Sequence, residues 1–261
     1  MKVSELIFEN PSVLMLLEHF DFDVVVRDST VEQLCRQHHV NPELFVSFCN
    51  LYNGFAPSGI DTFTTTDVST IISFLRNTHS YYKTDKYPEI KEHIRHLFQK
   101  NNSPEIKLVE KFFNEYFDEV TEHLDYEEQV AFPSVCKKLA IENIANLNTA
   151  EGYSISVYRT HHTDIEFKLS ELKNLLLKHI PTKGDNIERR RLLTSLFELE
   201  LDLSIHSLIE ESILIPLVKK LEKVLNQVRL NLIQSFLYTH TILESLPTKH
   251  HLLKLLLTYP Q

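Results

Sequence analysis

Tryptophan is absent from this 261-residue chain, and it holds only 4 glycines and 3 cysteines. So few glycines over this length exclude a turn-dense β protein and point to long helices. Cys35, Cys49 and Cys136 are far apart, with no Cys-x-x-Cys spacing. That excludes a disulfide framework, fits a reducing cytosol, and makes buried inert thiols the expectation. No stretch is long and apolar enough to span a bilayer, and the start, Met1-Lys-Val-Ser-Glu-Leu-Ile, lacks the apolar core of a signal peptide. A cytoplasmic protein with no membrane partner is therefore expected. Basic runs are missing too. With a net charge of −9, nucleic acid and anionic membranes are not expected as main partners.

What is present suffices for a sizeable core: 43% of the residues are hydrophobic and 24% charged. Residues 1–58 read as a small domain of short helices. Ser29-x-x-Glu32 has the form of a capping box, Asn41-Pro42 that of a cap followed by a first-turn proline, and Asn53-Gly54 that of a stop. Ala56-Pro-Ser-Gly59 reads as a linker.

From Asp67 the pattern changes to long helices. One carries His79 and is kinked or restarted at Pro88. A second, capped by Ser103, runs to about Lys138. A third follows Thr149 and stops before Pro181. A fourth, opened by Asp185 and Glu188, runs past Pro216. Each shows 3/4 stepping: Val68, Ile72, Leu75, His79, Tyr82; Phe113, Tyr116, Val120, His123, Glu127, Val130, Ser134; Ile155, Tyr158, His162, Ile165, Leu169, Leu172, Leu176; and Leu192, Leu196, Leu199, Leu203, His206, Glu210, Ile213, Leu217. The strand-like alternation of Glu198 to Ile205 is outweighed by the last of these rows. The expected fold is all-α: an up-down four-helix bundle over 67–222, with a C-terminal helical extension over 223–261. That extension reads as one further helix, Leu221 to Leu237, packing or making an oligomer contact, which leaves a homodimer open.

The informative feature is a duplication. His162 and His206 stand 83 residues after His79 and His123 (162 − 79 and 206 − 123). His123-Leu-Asp-Tyr-Glu127-Glu128 is followed by Phe132-Pro133 and Val135; His206-Ser-Leu-Ile-Glu210-Glu211 is followed by Ile215-Pro216 and Val218. On a helix, His-x3-Glu puts an imidazole and a carboxylate on one face, a turn apart. A single histidine on an apolar seam is more often a hydrogen-bonded core residue than a ligand. Six donors at apolar-seam positions, placed twice at the same offset, fit a shared pair of metal ions, because each would be costly to bury alone. Nitrogen and oxygen donors without thiolate suit iron or manganese, with zinc binding in vitro. Glu128 and Glu211 should face away from the ions. His161 sits off the seam. His93 and His96 join the His79 face only if Pro88 leaves the register unrotated. Asp118 and Glu119 are placed either to accept from a ligand histidine or to sit in solvent. Tyr82 either packs or reaches a bridging oxygen.

His79, His123-x3-Glu127-Glu128 with Phe132-Pro133, His162, and His206-x3-Glu210 with Ile215-Pro216 resemble the hemerythrin-like domain of the di-iron proteins for repair of iron centres, the iron–sulfur cluster repair family. Phe20-Asp-Phe-Asp23 and Thr30-x4-Cys35 resemble that family's N-terminal domain. The resemblance covers roughly residues 1–218. It implies two iron ions in an oxo- or hydroxo-bridged centre, with His79, His123, His162 and His206 as terminal ligands and Glu127 and Glu210 as bridges. It also implies repair of iron–sulfur clusters damaged by nitric oxide or oxidative stress, with nitric oxide reduction as an associated activity. The implied partners are a small diatomic ligand, NO or O2, and damaged iron–sulfur proteins. The alternative is an NO- or O2-sensing module that signals through the C-terminal helix, so the choice between enzyme and binding protein stays open. The chain departs from the family in two places. Val24-Val-Val26-Arg27 stands where relatives carry a vicinal cysteine pair, and His161 where they tend to carry Glu.

Overall fold

The computed structural model describes residues 1–101, 104–139, 155–178 and 186–245; the side chains of 101, 138–139, 155–166, 225, 229, 232–233 and 235–245 are outside the described set. Ser103, Thr149 and Asp185 lie outside it as well. The regular elements of the described residues are all helices, with no β-strand among them. Their one strand-like contact is an isolated antiparallel bridge between Lys2 and Thr30. Among them, no helix is long and apolar enough to cross a membrane.

Four short helices open the chain: α1 (Val3–Glu9), α2 (Val13–His19), α3 (Val31–Gln37) and α4 (Pro42–Tyr52). The capping box of α3 sits one residue later than the sequence pattern suggests. Thr30 Oγ1 accepts from the Gln33 N–H, and the Gln33 side chain accepts from the Thr30 N–H. The Lys2–Thr30 bridge fixes Thr30 in an extended conformation, which suits a cap. At α4, Asn41 caps through the Glu43 N–H with Pro42 in the first turn, and Gly54 follows at φ 75°, a left-handed position suited to glycine.

The long helices are α5 (Thr65–Tyr81), α6 (Tyr87–Asn101), α7 (Pro104–Tyr126), α8 (Phe132–Leu139), α9 (Ile155–Lys178), α10 (Asn186–Ile209) and α11 (Ile215–Ser245). Thr64 and Asp67 form the capping box of α5, so that helix starts slightly before the expected Asp67. No separate helix begins at Leu221; α11 is continuous from Ile215. The chain divides into two compact units, Met1–Val218 and Lys219–Gln261. Within the first, α6 packs on α7 and α10, and α9 packs on α7 and α10, closing a ring of neighbours. Ile90, Ile94, Phe113, Tyr116, Val120, Leu169, Leu172, Leu192, Leu196 and Leu199 fill its interior. Phe20, Phe48 and Phe74 attach the short helices, with ring centroids 4.8 Å apart for both Phe20–Phe74 and Phe48–Phe74.

Three helices are widened by a π-turn: Tyr82–Lys86, Glu127–Ala131 and Glu210–Leu214. Each is closed by the N–H of Tyr87, Phe132 or Ile215, bonding five residues back. The next residue in each case is a proline: Pro88, Pro133, Pro216. A proline inside a helix removes one N–H and crowds the carbonyl four residues earlier. A widened turn just ahead of it absorbs that local mismatch. It also adds a residue to the turn, so the buried row shifts by one. Val130, expected on the apolar row, is 44% exposed, while Ala131 and Val135 are buried in its place.

Candidate metal centre

The π-turns are where the duplicated motif meets. His79, His123 and His206 lie in the last turns of α5, α7 and α10, and Glu127 and Glu210 are the first residues of the following π-turns in α7 and α10. Glu127 reaches two imidazoles. Its Oε1 is 3.0 Å from His123 Nε2 and its Oε2 is 3.2 Å from His79 Nε2. Glu127 Oε2 is also 3.8 Å from His206 Nε2, which lies 3.4 Å from Glu210 Oε1. Donor atoms of His79, Glu127 and His206 fall within 4.8 Å of one another, and all three residues are buried. His123 is almost as enclosed. The side chain of His162, and that of its neighbour His161, lie outside the described residues.

The outer nitrogens fix how the imidazoles present themselves. Thr78 Oγ1 donates its one proton to the Leu75 carbonyl at 2.7 Å and lies 2.8 Å from His206 Nδ1. The hydroxyl must therefore accept from Nδ1–H, which turns Nε2 inward. Glu128 Oε1, 3.0 Å from His79 Nδ1, does the same for that ring. This hydrogen bond holds the Glu128 carboxyl below its ordinary pKa, against a smaller opposing effect of burial. Among the described residues, buried His79 Nε2 and His206 Nε2 have no hydrogen-bond partner. Histidines that ligate metals are oriented in this way, with the second nitrogen tied to an oxygen.

Electrostatics favour a cation here. Burial alone would lower the pKa of His206, but the carboxylates of Glu210 and Glu127 outweigh it and raise it to about 10. Two enclosed carboxylates thus draw a positive charge to this point, as a proton or as a metal ion. The buried His and Glu groups could hold a metal ion, and their nitrogen and oxygen donors suit iron, manganese or zinc. Phe132, from the repeated Phe-Pro phrase, stacks on His79 with centroids 5.7 Å apart and helps to keep water out.

Other expected residues lie elsewhere. Asp118 is exposed, and Glu119, also exposed, pairs with Lys168, so neither supports His123. His93 and His96 are grouped with Glu188 instead of His79. The Tyr82 ring is 6.0 Å from that of His206. Its phenol is held well protonated, first by burial and then by the Asp202 carboxylate. Asp202 itself, four residues before His206, is a feature that sequence reasoning missed. It is fully buried, 2.9 Å from His19 Nε2, and accepts from the Tyr52 hydroxyl at 2.6 Å. Burial opposes its charge, but His19 and the hydroxyls of Tyr52 and Tyr82 prevail and lower its pKa. The only sequence signal was an acid on the buried side of α10. Thr78 left no signal at all.

No family model matches the chain, and no curated protein matches it.

Proposed function

We propose that the chain is a hemerythrin-like di-iron protein that repairs iron–sulfur clusters damaged by nitric oxide or oxidants in the cytoplasm. In this reading α5–α6, α7–α8, α9 and α10 form an up-down four-helix bundle. The ring of contacts among α6, α7, α9 and α10 supports that arrangement. His79, His123, His162 and His206 serve as terminal ligands, and Glu127 and Glu210 as bridges. The observation that carries the reading is the Glu127 carboxylate, buried, with one oxygen beside His123 of its own helix and the other beside His79 of α5. Facing helices of a bundle supply dinuclear carboxylate sites in this manner.

Two bound iron ions would supply one-electron redox chemistry and open positions for NO or O2. The chain's own residues orient and enclose. Thr78 and Glu128 set the tautomers of His206 and His79, Phe132 covers His79, and the Tyr82 ring lies beside His206. Val24 and Val25, where relatives carry thiols, are exposed. That loop holds no thiol between Val24 and Arg27 for an exchange step.

Metal analysis with Mössbauer spectroscopy on protein isolated without air tests the reading. Two coupled irons per chain are expected, with a new iron-nitrosyl absorption when the reduced protein meets nitric oxide. A chain without iron, or with a single uncoupled ion, overturns it.

A sensing role is the second reading. It is favoured by α11, whose first residue, Ile215, closes the π-turn that Glu210 begins, and which continues to Ser245. Deleting the chain after Lys219 should then abolish signalling and leave the iron spectrum unchanged.

A further inference from the structure

His93 and His96 stand three residues apart on α6, which puts both imidazoles on one face of the helix. Glu188, in the first turn of α10, reaches that face. Its Oε2 lies 3.3 Å from His93 Nδ1 and 3.8 Å from His96 Nδ1. Four bonds of zinc-ligand length at tetrahedral angles put neighbouring donor atoms about 3.4 Å apart. The Glu188 oxygen is already near that spacing from each imidazole nitrogen, and one ligand atom from each residue falls within 4.8 Å of the other two.

The surroundings complete the pattern. The outer nitrogen of His96, Nε2, is 2.9 Å from Glu92 Oε1, and that of His93 is 3.7 Å from Glu89 Oε1. Glu92 can therefore accept the Nε2–H of His96 and leave its Nδ1 lone pair facing Glu188, whereas Glu89, beyond hydrogen-bond distance, places only a negative charge behind His93. Carboxylates behind ligand histidines raise their basicity and fix their orientation. Those carboxylates are themselves held: Glu92 by Arg95, Glu89 by Lys86 and Ser195. Glu188 is largely buried, and its other oxygen accepts from Arg191 at 2.8 Å. One oxygen thus balances the guanidinium while the second points to the histidines.

We propose that His93, His96 and Glu188 form a second, mononuclear metal site that takes a divalent zinc ion and ties α6 to the start of α10. Two imidazoles and one carboxylate, with no thiolate, select a borderline cation over calcium or magnesium. Three protein ligands leave the fourth tetrahedral position to water. At about 1.5 Å of rise per residue, the segment from His79 to His93 sets the site about 20 Å from the candidate dinuclear centre. Zinc here does not depend on iron there.

The test is calorimetric titration of zinc chloride into the metal-stripped full-length chain, against the His93→Gln/His96→Gln double variant. The native chain is expected to bind one more equivalent of zinc than the variant. That difference should persist when both chains also carry Glu127→Ala and Glu210→Ala, which separates it from the dinuclear centre. Equal stoichiometry in native chain and double variant overturns the proposal. Should the double variant lose its helical circular dichroism, Glu92→Gln decides, because Glu92 is exposed and meets His96 only at the outer nitrogen. It should weaken this one class of zinc sites about 10- to 100-fold. Unchanged affinity in that variant overturns the site as drawn.

Discussion

Tyr52 donates a 2.6 Å hydrogen bond to Asp202, although 150 residues separate them. The bond joins α4 of the N-terminal helices to α10, one turn before His206. His19 of α2 reaches the other oxygen of the same carboxylate at 2.9 Å. A charge in so dry a place is stable only while its partners remain. Asp202→Ala should cost about 3–5 kcal/mol in urea unfolding, since it strands buried His19 and Tyr52 together. Tyr52→Phe should cost about 1–2 kcal/mol.

The same carboxylate sets an acid limb. Its pKa in the folded chain is lowered from 3.8, so its contribution is in full force above that value. It fades as the pH falls from there through the folded pKa. Asp202→Asn should be less stable than the native chain at pH 7 and lose less further stability between pH 4 and pH 2. Parallel acid limbs for the two proteins would contradict the assignment.

Metal should stabilise the fold through the enclosed carboxylates. At free metal about 100-fold above Kd, linkage supplies about 2.7 kcal/mol, or roughly 5–10 °C in Tm for a unit of this size. Stripping the native chain should lower Tm by that amount. Glu127→Ala should show no such drop. Glu128→Gln, which loosens His79 from behind, should retain the metal but bind it about 10- to 100-fold more weakly.

Thiol accessibility is equally definite. Cys35 and Cys49 are buried, and burial pushes both thiols up to about 12, whereas Cys136 is exposed. An aromatic disulfide reagent at pH 8 should label one thiol in the native protein and all 3 after denaturation. Rapid native labelling of two or more would show that the α3–α4 packing is wrong.

The π-turn in α7 makes adjacent residues unequal. Val130→Lys should fall within about 0.5 kcal/mol of the native chain, because Val130 reaches solvent. Ala131→Lys should cost about 3 kcal/mol or more, because the ammonium would be driven into the buried side. A regular α-helix through this segment would give the reverse order.

Helical class was legible in the sequence, and so was the grouping of His79, Glu127 and His206. Leu192, Leu196, Leu199, Leu203, His206, Glu210, Ile213 and Leu217 were one row in the sequence and are one buried row in the fold. A 3/4 period can be read from residue order because helix geometry is local. Glu127, His79 and His206 could be grouped because a repeat carries its geometry with it. Phase was not legible past the π-turn of α7: Val130 was assigned to the core that Ala131 and Val135 occupy. The three prolines marked the places, but how a helix accommodates a proline depends on what packs around it. Nor could sequence reveal Thr78 behind His206, the meeting of His19, Tyr52 and Asp202, or Glu188 beside His93 and His96. Those contacts join segments far apart along the chain. Periodicity fixes which side of a helix faces inward; only the packing of one helix on another decides which polar atom each buried donor meets.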